Sequence, residues 1–424
     1  MKKVKYKISA IKDLYQKGFF HIFGSNILSK IFSFCGGILL VRVLTKEEMG
    51  IYSYSENILA LFLIINGFGM PEGLLQYGSR YNSIEDQNSY IKYSLKIGFL
   101  SNVFLGILIL MYSKYGTFKI ESSREIFVLM FAFPIINTLF SIIQIKLRIE
   151  LRNKEMAKYS NINTFFNIFG MTLGGYIYGI VGVVIGKYIG NIFSIFISFS
   201  TIKNIFFHWR KIYSLAIERK KEMIKFSFTA MLNNGISNLL YIADVFLIGL
   251  IIGNENILAS YKTATLIPFA LNFIPLSIMT YIYPYFAKNS DNIEWIRKKY
   301  LEMLKYLGVF NFFISMGLIL FSKLIIKLIF GEIYMDSLQP FIILSIGYFF
   351  AATIRIPAGN VLASIGKIKF NFYNALISGS INILLDIFLI KKFGSIGAAY
   401  ATLLVFIISG TIGNLFLFKY LNKR

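Results

Sequence analysis

The sequence predicts an all-α polytopic membrane protein, with about twelve transmembrane helices in two six-helix lobes related by an internal parallel repeat. Three observations carry that expectation. Of 424 residues, 56% are hydrophobic and only 15% charged, with a mean hydropathy of +0.63. A soluble domain usually carries about 25% charged residues. The charges cluster, and the apolar stretches between clusters run to roughly 20 residues, the length of a bilayer-crossing helix. Finally, the chain echoes itself. "LTKEEMGIYSYSENI" (Leu44–Ile58) aligns with "GNENILASYKTATLI" (Gly253–Ile267), and "GIVGVVIGKYIG" (Gly179–Gly190) with "GSIGAAYATLLV" (Gly394–Val405). Six spans per half keep both halves in one orientation, which is the parallel-repeat plan with a site near mid-membrane.

The spans are centred near Phe34, Ala60, Leu100, Pro134, Phe169, Ile192, Leu239, Ala270, Phe312, Gly347, Ile383 and Leu404. The expected domains are residues 1–205, a cytoplasmic linker over 206–224, and residues 225–424. Met1–Lys17 carries six lysines among Ile8, Ile11, Leu14 and Tyr15, and reads as a basic interfacial segment before an uncleaved first helix. "FFHWRKIY" in the linker mixes aromatic and basic residues and reads as a second interfacial segment. "YIYGIVG" is a tight turn between the fifth and sixth spans, and Gly182, Gly186 and Gly190 at four-residue spacing predict close helix packing there. "NGFGMPEG" (Asn66–Gly73) reads as the end of the second span, and Pro268, Pro275 and Pro284 as hinges of the eighth.

The net charge of +23 follows from lysine and arginine gathered on one side, so no nucleic-acid partner is expected. With both termini cytoplasmic, roughly 29 basic residues fall on the inner side and 8 on the outer. The single cysteine, Cys35, allows no internal disulfide and no cysteine metal cluster. Lys187 follows a glycine run, but its spacing is not that of a phosphate loop. No metalloprotease helix, nucleophile elbow or other hydrolytic motif is present, so the chain is not expected to be an enzyme.

Charges inside spans are costly and mark interiors or wet cavities. Nine are placed there: Lys30, Arg42, Glu56, Lys96, Lys187, Asp244, Lys262, Arg355 and Asp386. Asn26, Ser29, Lys30, Ser33 and Gly37 share one face of the first span; Asn234, Ser237, Asn238, Tyr241 and Asp244 share one face of the seventh. Polar stripes on apolar helices meet water or other polar groups. Lys187 and Asp386 are expected as structural partners without a direct role.

These stretches resemble the polysaccharide flippases, which export lipid-linked repeat units for O-antigen, capsule and exopolysaccharide. Arg42, Leu44, Glu47, Glu48, Gly50 and Tyr52 match the family's opening pattern, Arg80 the arginine after the second span, and Asp244 and Tyr261 the second-half signature. Thr45-Lys46 replaces the commoner Gly-Pro, and Ala259 a common Gly. The resemblance implies the multidrug, oligosaccharidyl-lipid and polysaccharide exporter fold, the bacterial cytoplasmic membrane, alternating access and a polyprenyl-diphosphate oligosaccharide substrate. Membrane lipids, a polysaccharide polymerase and glycosyltransferases are the implied partners. Lys30, Arg42, Arg80 and Lys262 would hold diphosphate or acidic sugars, and Tyr52, Tyr54, Tyr241 and Tyr261 would stack on sugars. Glu56 and Asp244 would gate or couple: Asp244 by pairing with Lys30 or Lys262, the preferred role, or by binding H⁺ or Na⁺. No other cofactor is expected. The second reading is a cation-coupled multidrug extruder, which six cationic against three acidic intramembrane residues disfavours. A membrane-embedded glycan polymerase or ligase is third, and no outside loop exceeds about fifteen residues to serve it.

Overall fold

The computed structural model describes residues 19–81 and 83–422. Met1–Lys17, expected at the interface, lies outside the described residues. Twelve helical legs follow one another in chain order. α1 is Phe19–Val43. α2 is Lys46–Gly78 and α3 is Ile84–Tyr115. α4 combines Ser123–Leu129 and Phe133–Ile149, bent by 43°. α5 and α6 are the two legs of Asn153–Thr201, folded back at Gly179. α7 is Ile217–Ile251. α8 is Glu255–Lys288, α9 Ile293–Leu320 and α10 Glu332–Ser364. α11 is Ile368–Phe393 and α12 Ser395–Asn422. Eight continuous helical stretches among the described residues are long and apolar enough to cross a membrane, and the bent pair makes a ninth. The fold at Gly179 divides one of these in two, and α1 and α7 complete the twelve.

Packing divides the chain into two units. The first runs to Leu44 and resumes over Ser55–Leu239; the second is Thr45–Tyr54 with Leu240 onward. Two helices are therefore shared. The opening turns of α2 belong to the second unit, and α7 belongs to the first as far as Leu239. Close backbone approach explains the first sharing: a Cβ on Gly50 would lie 2.0 Å from the Glu255 carbonyl oxygen. Lys46 adds an ion pair to Asp336 at 2.6 Å, and Ser260 donates to the same carboxylate.

The sequence repeat is repeated in backbone conformation. Thr45 and Glu48 form a reciprocal capping box at the start of α2. At the aligned position Asn254 caps α8, accepting from the Ile257 amide at 3.0 Å. Gly179 turns the α5–α6 hairpin at φ 56°, ψ −143°, and the aligned Gly394 turns α11 into α12 at φ 62°, ψ −142°. That region is essentially reserved for glycine. Three residues beyond each turn, a Cβ on Gly182 would lie 1.9 Å from Gly174 O, and one on Gly397 2.1 Å from Leu389 O.

α2 does not end at "NGFGMPEG". It breaks there and continues through a further helix, Met70–Gly78. Gly67, Phe68 and Gly69 take positive φ in succession. Backbone groups freed within a membrane need internal partners. Asn102 supplies one: its Oδ1 accepts from the Gly67 amide at 2.7 Å, while its Nδ2 is held by donating to Pro134 O and Thr138 Oγ1. Thr138 in turn donates to Asn66 Oδ1.

The linker segment is held within the first unit. Lys92 donates to Ile212 O at 2.7 Å and lies over the Trp209 ring. Tyr213 and Arg219 both donate to Asp86. Burial raises the Tyr213 phenol above its ordinary value, and its hydrogen bond to Asp86 acts in the same direction.

Candidate functional site

The second unit buries a polar cluster around Asp244, on the last part of α7. Tyr261 of α8 donates to Asp244 Oδ2 at 2.8 Å, and Thr402 of α12 donates to the same oxygen. Asn382 of α11 donates to Asp244 Oδ1 at 3.4 Å and to Asp386 Oδ2 at 3.1 Å. Asp386 is fully buried, Asp244 is 8% exposed and Tyr261 is fully buried. The second oxygen of Asp386 meets no hydrogen-bond donor among the described residues. Two carboxylates thus share one bridging amide where water is excluded. Like charges in such a place repel strongly, and a proton or small cation between them relieves the repulsion.

Four helices build the cluster for local reasons. Asn382 and Asp386 stand four residues apart on α11 and so share a face. The glycine turn at Gly394 brings α12 back alongside α11 and places Thr402 opposite. The Asn254 cap starts α8, whose second turn carries Tyr261. Asp386, expected only as a structural partner, and Asn382 and Thr402, not singled out, are the residues that the structure adds to Asp244. The four-residue spacing of Asn382 and Asp386 within an apolar span was the signal available in the sequence.

Within the second unit, no lysine among the described residues meets Asp244. Its partners there are two hydroxyls and an amide, from Tyr261, Thr402 and Asn382. The other acid expected to act in gating or coupling, Glu56, pairs with Lys187 at 3.0 Å within the first unit. Lys187 also lies 5.0 Å from the centre of the Phe133 ring. Lys187 and Thr402 occupy aligned positions of the repeat, and each meets the carboxylate of its own unit.

The remaining expected site residues belong to both units. Lys30 is exposed on α1, while Ser25 and Ser29 of that helix donate to Asn161 Oδ1, so part of the α1 stripe serves helix packing instead of a wet surface. Arg42 is exposed at the end of α1. Tyr52 and Tyr54 are buried, 2% and 1% exposed, and present no ring face to a ligand in this structure. Arg80 is exposed, with its guanidinium 4.6 Å from the Tyr77 ring centre. The side chains of Ser237, Asn238 and Tyr241 lie outside the described residues; Asn234, on the same stripe, donates to Glu72 at 3.1 Å. Lys262 is partly exposed on α8 and, like Arg355, meets no carboxylate among the described residues.

Comparison with known proteins bears on the fold and the family. A solved lipid II flippase MurJ in an inward closed conformation superposes with a TM-score of 0.76 at 18% identity, covering 93% of this chain and 86% of that one. A multidrug resistance MATE family transporter of the MOP superfamily, inward-facing, also gives 0.76, at 13% identity, covering 93% and 95%. Both likenesses are of fold. A putative O-antigen transporter of Shigella flexneri is 28% identical over 180 residues, 42% of either chain, so the match spans less than half of that relative's length. The model of the polysaccharide biosynthesis protein family matches residues 39–339, most of this sequence, and the chain belongs to that family.

Proposed function

We propose that this protein is a flippase that carries polyprenyl-diphosphate-linked oligosaccharide across a bacterial cytoplasmic membrane for surface polysaccharide assembly, by alternating access with both termini cytoplasmic. One observation carries the reading. The intramembrane acids are occupied and two of the intramembrane cations are not: Glu56 holds Lys187, Asp244 and Asp386 are tied up in the buried cluster, and Lys262 and Arg355 meet no carboxylate among the described residues. Carrying a charged headgroup through hydrocarbon unaided is costly. Available cations fit an anionic headgroup and would repel an organic cation. The family membership and the Shigella flexneri relative, named a putative O-antigen transporter, support the same reading.

The acidic cluster fits the energy-coupling role. Its oxygens, from two carboxylates, two hydroxyls and an amide, suit a hard monovalent ion or a proton. Holding that charge removes the repulsion between Asp244 and Asp386. Lys30, Arg42, Arg80 and Lys262 remain the proposed headgroup contacts, with Tyr241 as a sugar-stacking residue.

Deleting the gene in its host tests the function. Lipid extracts are expected to accumulate polyprenyl-diphosphate oligosaccharide while surface polysaccharide is lost, and the mass of the accumulated lipid identifies the sugar. Normal lipid-linked intermediates together with new sensitivity to organic cations would reject the flippase in favour of an extruder.

A further inference from the structure

Arg355 ends a π-helical turn, Ala351–Arg355, within α10. Such turns are rare and are frequently found at functional sites. This one is built in by α12. A Cβ on Gly410 would lie 2.6 Å from the Ile354 side chain and 3.3 Å from the Arg355 amide, so the missing side chain admits the turn. Asn414 Nδ2 donates to Ile354 O at 3.1 Å and to Gly410 O at 2.7 Å, and Tyr300 donates to Asn414 Oδ1. The guanidinium lies 5.0 Å from the centre of the Phe406 ring, which in turn neighbours Phe269 of α8 at 6.2 Å. No carboxylate and no hydrogen-bond acceptor meets the guanidinium among the described residues. By the helical rise, Arg355 stands roughly 14 Å short of the helix end at Ser364, well inside the span. An arginine at such depth normally has a partner.

We propose that Arg355 binds the diphosphate of the transported headgroup, with Phe406 covering one face of the guanidinium and leaving its N–H edge to the phosphates. The proposal rests on the flippase reading and extends it to a residue outside the matched positions of the family pattern. A guanidinium presents a rigid fork that grips phosphate oxygens in pairs, which a lysine cannot do. Thr402, Phe406, Gly410 and Asn414 recur every four residues on one face of α12. The same stripe therefore touches Asp244 at one end and the Arg355 turn along the rest. Occupancy of the acidic cluster and the pose of Arg355 are linked through this helix.

Binding of farnesyl diphosphate, farnesyl phosphate and inorganic pyrophosphate to the full-length protein in zwitterionic nanodiscs tests the assignment. Arg355→Gln is expected to weaken farnesyl diphosphate and pyrophosphate about ten- to a hundredfold, the range of a lost charge-assisted pair. Farnesyl phosphate should change less, because it offers one phosphate in place of two. Asp244→Asn should shift farnesyl diphosphate affinity in the wild type and not in the Arg355→Gln background. Unchanged diphosphate affinity in Arg355→Gln overturns the proposal. So does an equal loss for farnesyl phosphate and for added phosphatidylglycerol, which would make Arg355 a general counter-charge. Should Arg355→Gln fail to fold, Arg355→Lys with an unaltered melting temperature serves instead; it is expected to lose part of the diphosphate affinity, and full affinity overturns the assignment. If the wild type binds pyrophosphate through Arg355 but no polyprenyl diphosphate, the flippase reading fails while the anion site stands.

Discussion

A single carboxylate in "NLLYIADVFLIG" has no business in an apolar helix unless something repays its desolvation. Here the repayment is three donors: Tyr261, Thr402 and Asn382. The second carboxylate, Asp386, has only the shared amide among the described residues. Two substitutions separate structure from coupling. Asn382→Ala removes the bridge and leaves both acids short of a donor; unfolding in detergent should show a loss of about 1–3 kcal/mol. Asp386→Asn removes one of the two like charges and should leave the melting temperature unchanged or raised, while transport loses its dependence on Na⁺ or on pH. Retained ion dependence in Asp386→Asn would remove the cluster from the coupling step. Asp244 was legible in the sequence because a charge among aliphatic residues is conspicuous. Asn382 and Thr402 were not, because an amide or a hydroxyl in a span is ordinary until the fold shows what it touches. Tyr52 shows the converse: its type suits a sugar, while its burial depends on contacts that only the fold shows.

At the scale of elements, glycine and capping residues carry the architecture. The α5–α6 hairpin depends on Gly179, whose backbone region excludes side chains, and on Gly182, which lies against the Gly174 carbonyl. Gly179→Ala should cost about 1–3 kcal/mol through backbone strain. Gly394→Ala should cost a similar amount, because the aligned turn has nearly the same angles. Thermal unfolding of the two variants checks both, and a neutral Gly394→Ala would contradict the structural equivalence of the repeats. The hairpin and the repeat were readable because both are local: a tight turn, a glycine spacing, two aligned strings. The break in α2 was not readable as a break. Its partner, Asn102, comes from another helix, and without that contact "NGFGMPEG" has the look of a helix end.

Across the whole molecule, charge decides between the readings. Apolar length and charge clustering were enough to give the helical membrane class, since a bilayer constrains helices more simply than water does. The helical legs number the expected twelve among the described residues. What composition could not show is which intramembrane charges neutralise one another. The structure pairs Glu56 with Lys187 and ties Asp244 and Asp386 to hydroxyl and amide donors, while Lys262 and Arg355, a cationic remainder, meet no carboxylate among the described residues. That remainder is the basis for an anionic cargo. The most direct measurement places a fluorescent polyprenyl-diphosphate oligosaccharide in liposomes containing the purified protein and adds an impermeant quencher. The account predicts that the protein removes the protected inner-leaflet fraction and that Lys262→Gln slows this at least tenfold. A protected fraction that persists with active protein, beside uptake of a small organic cation, would contradict it.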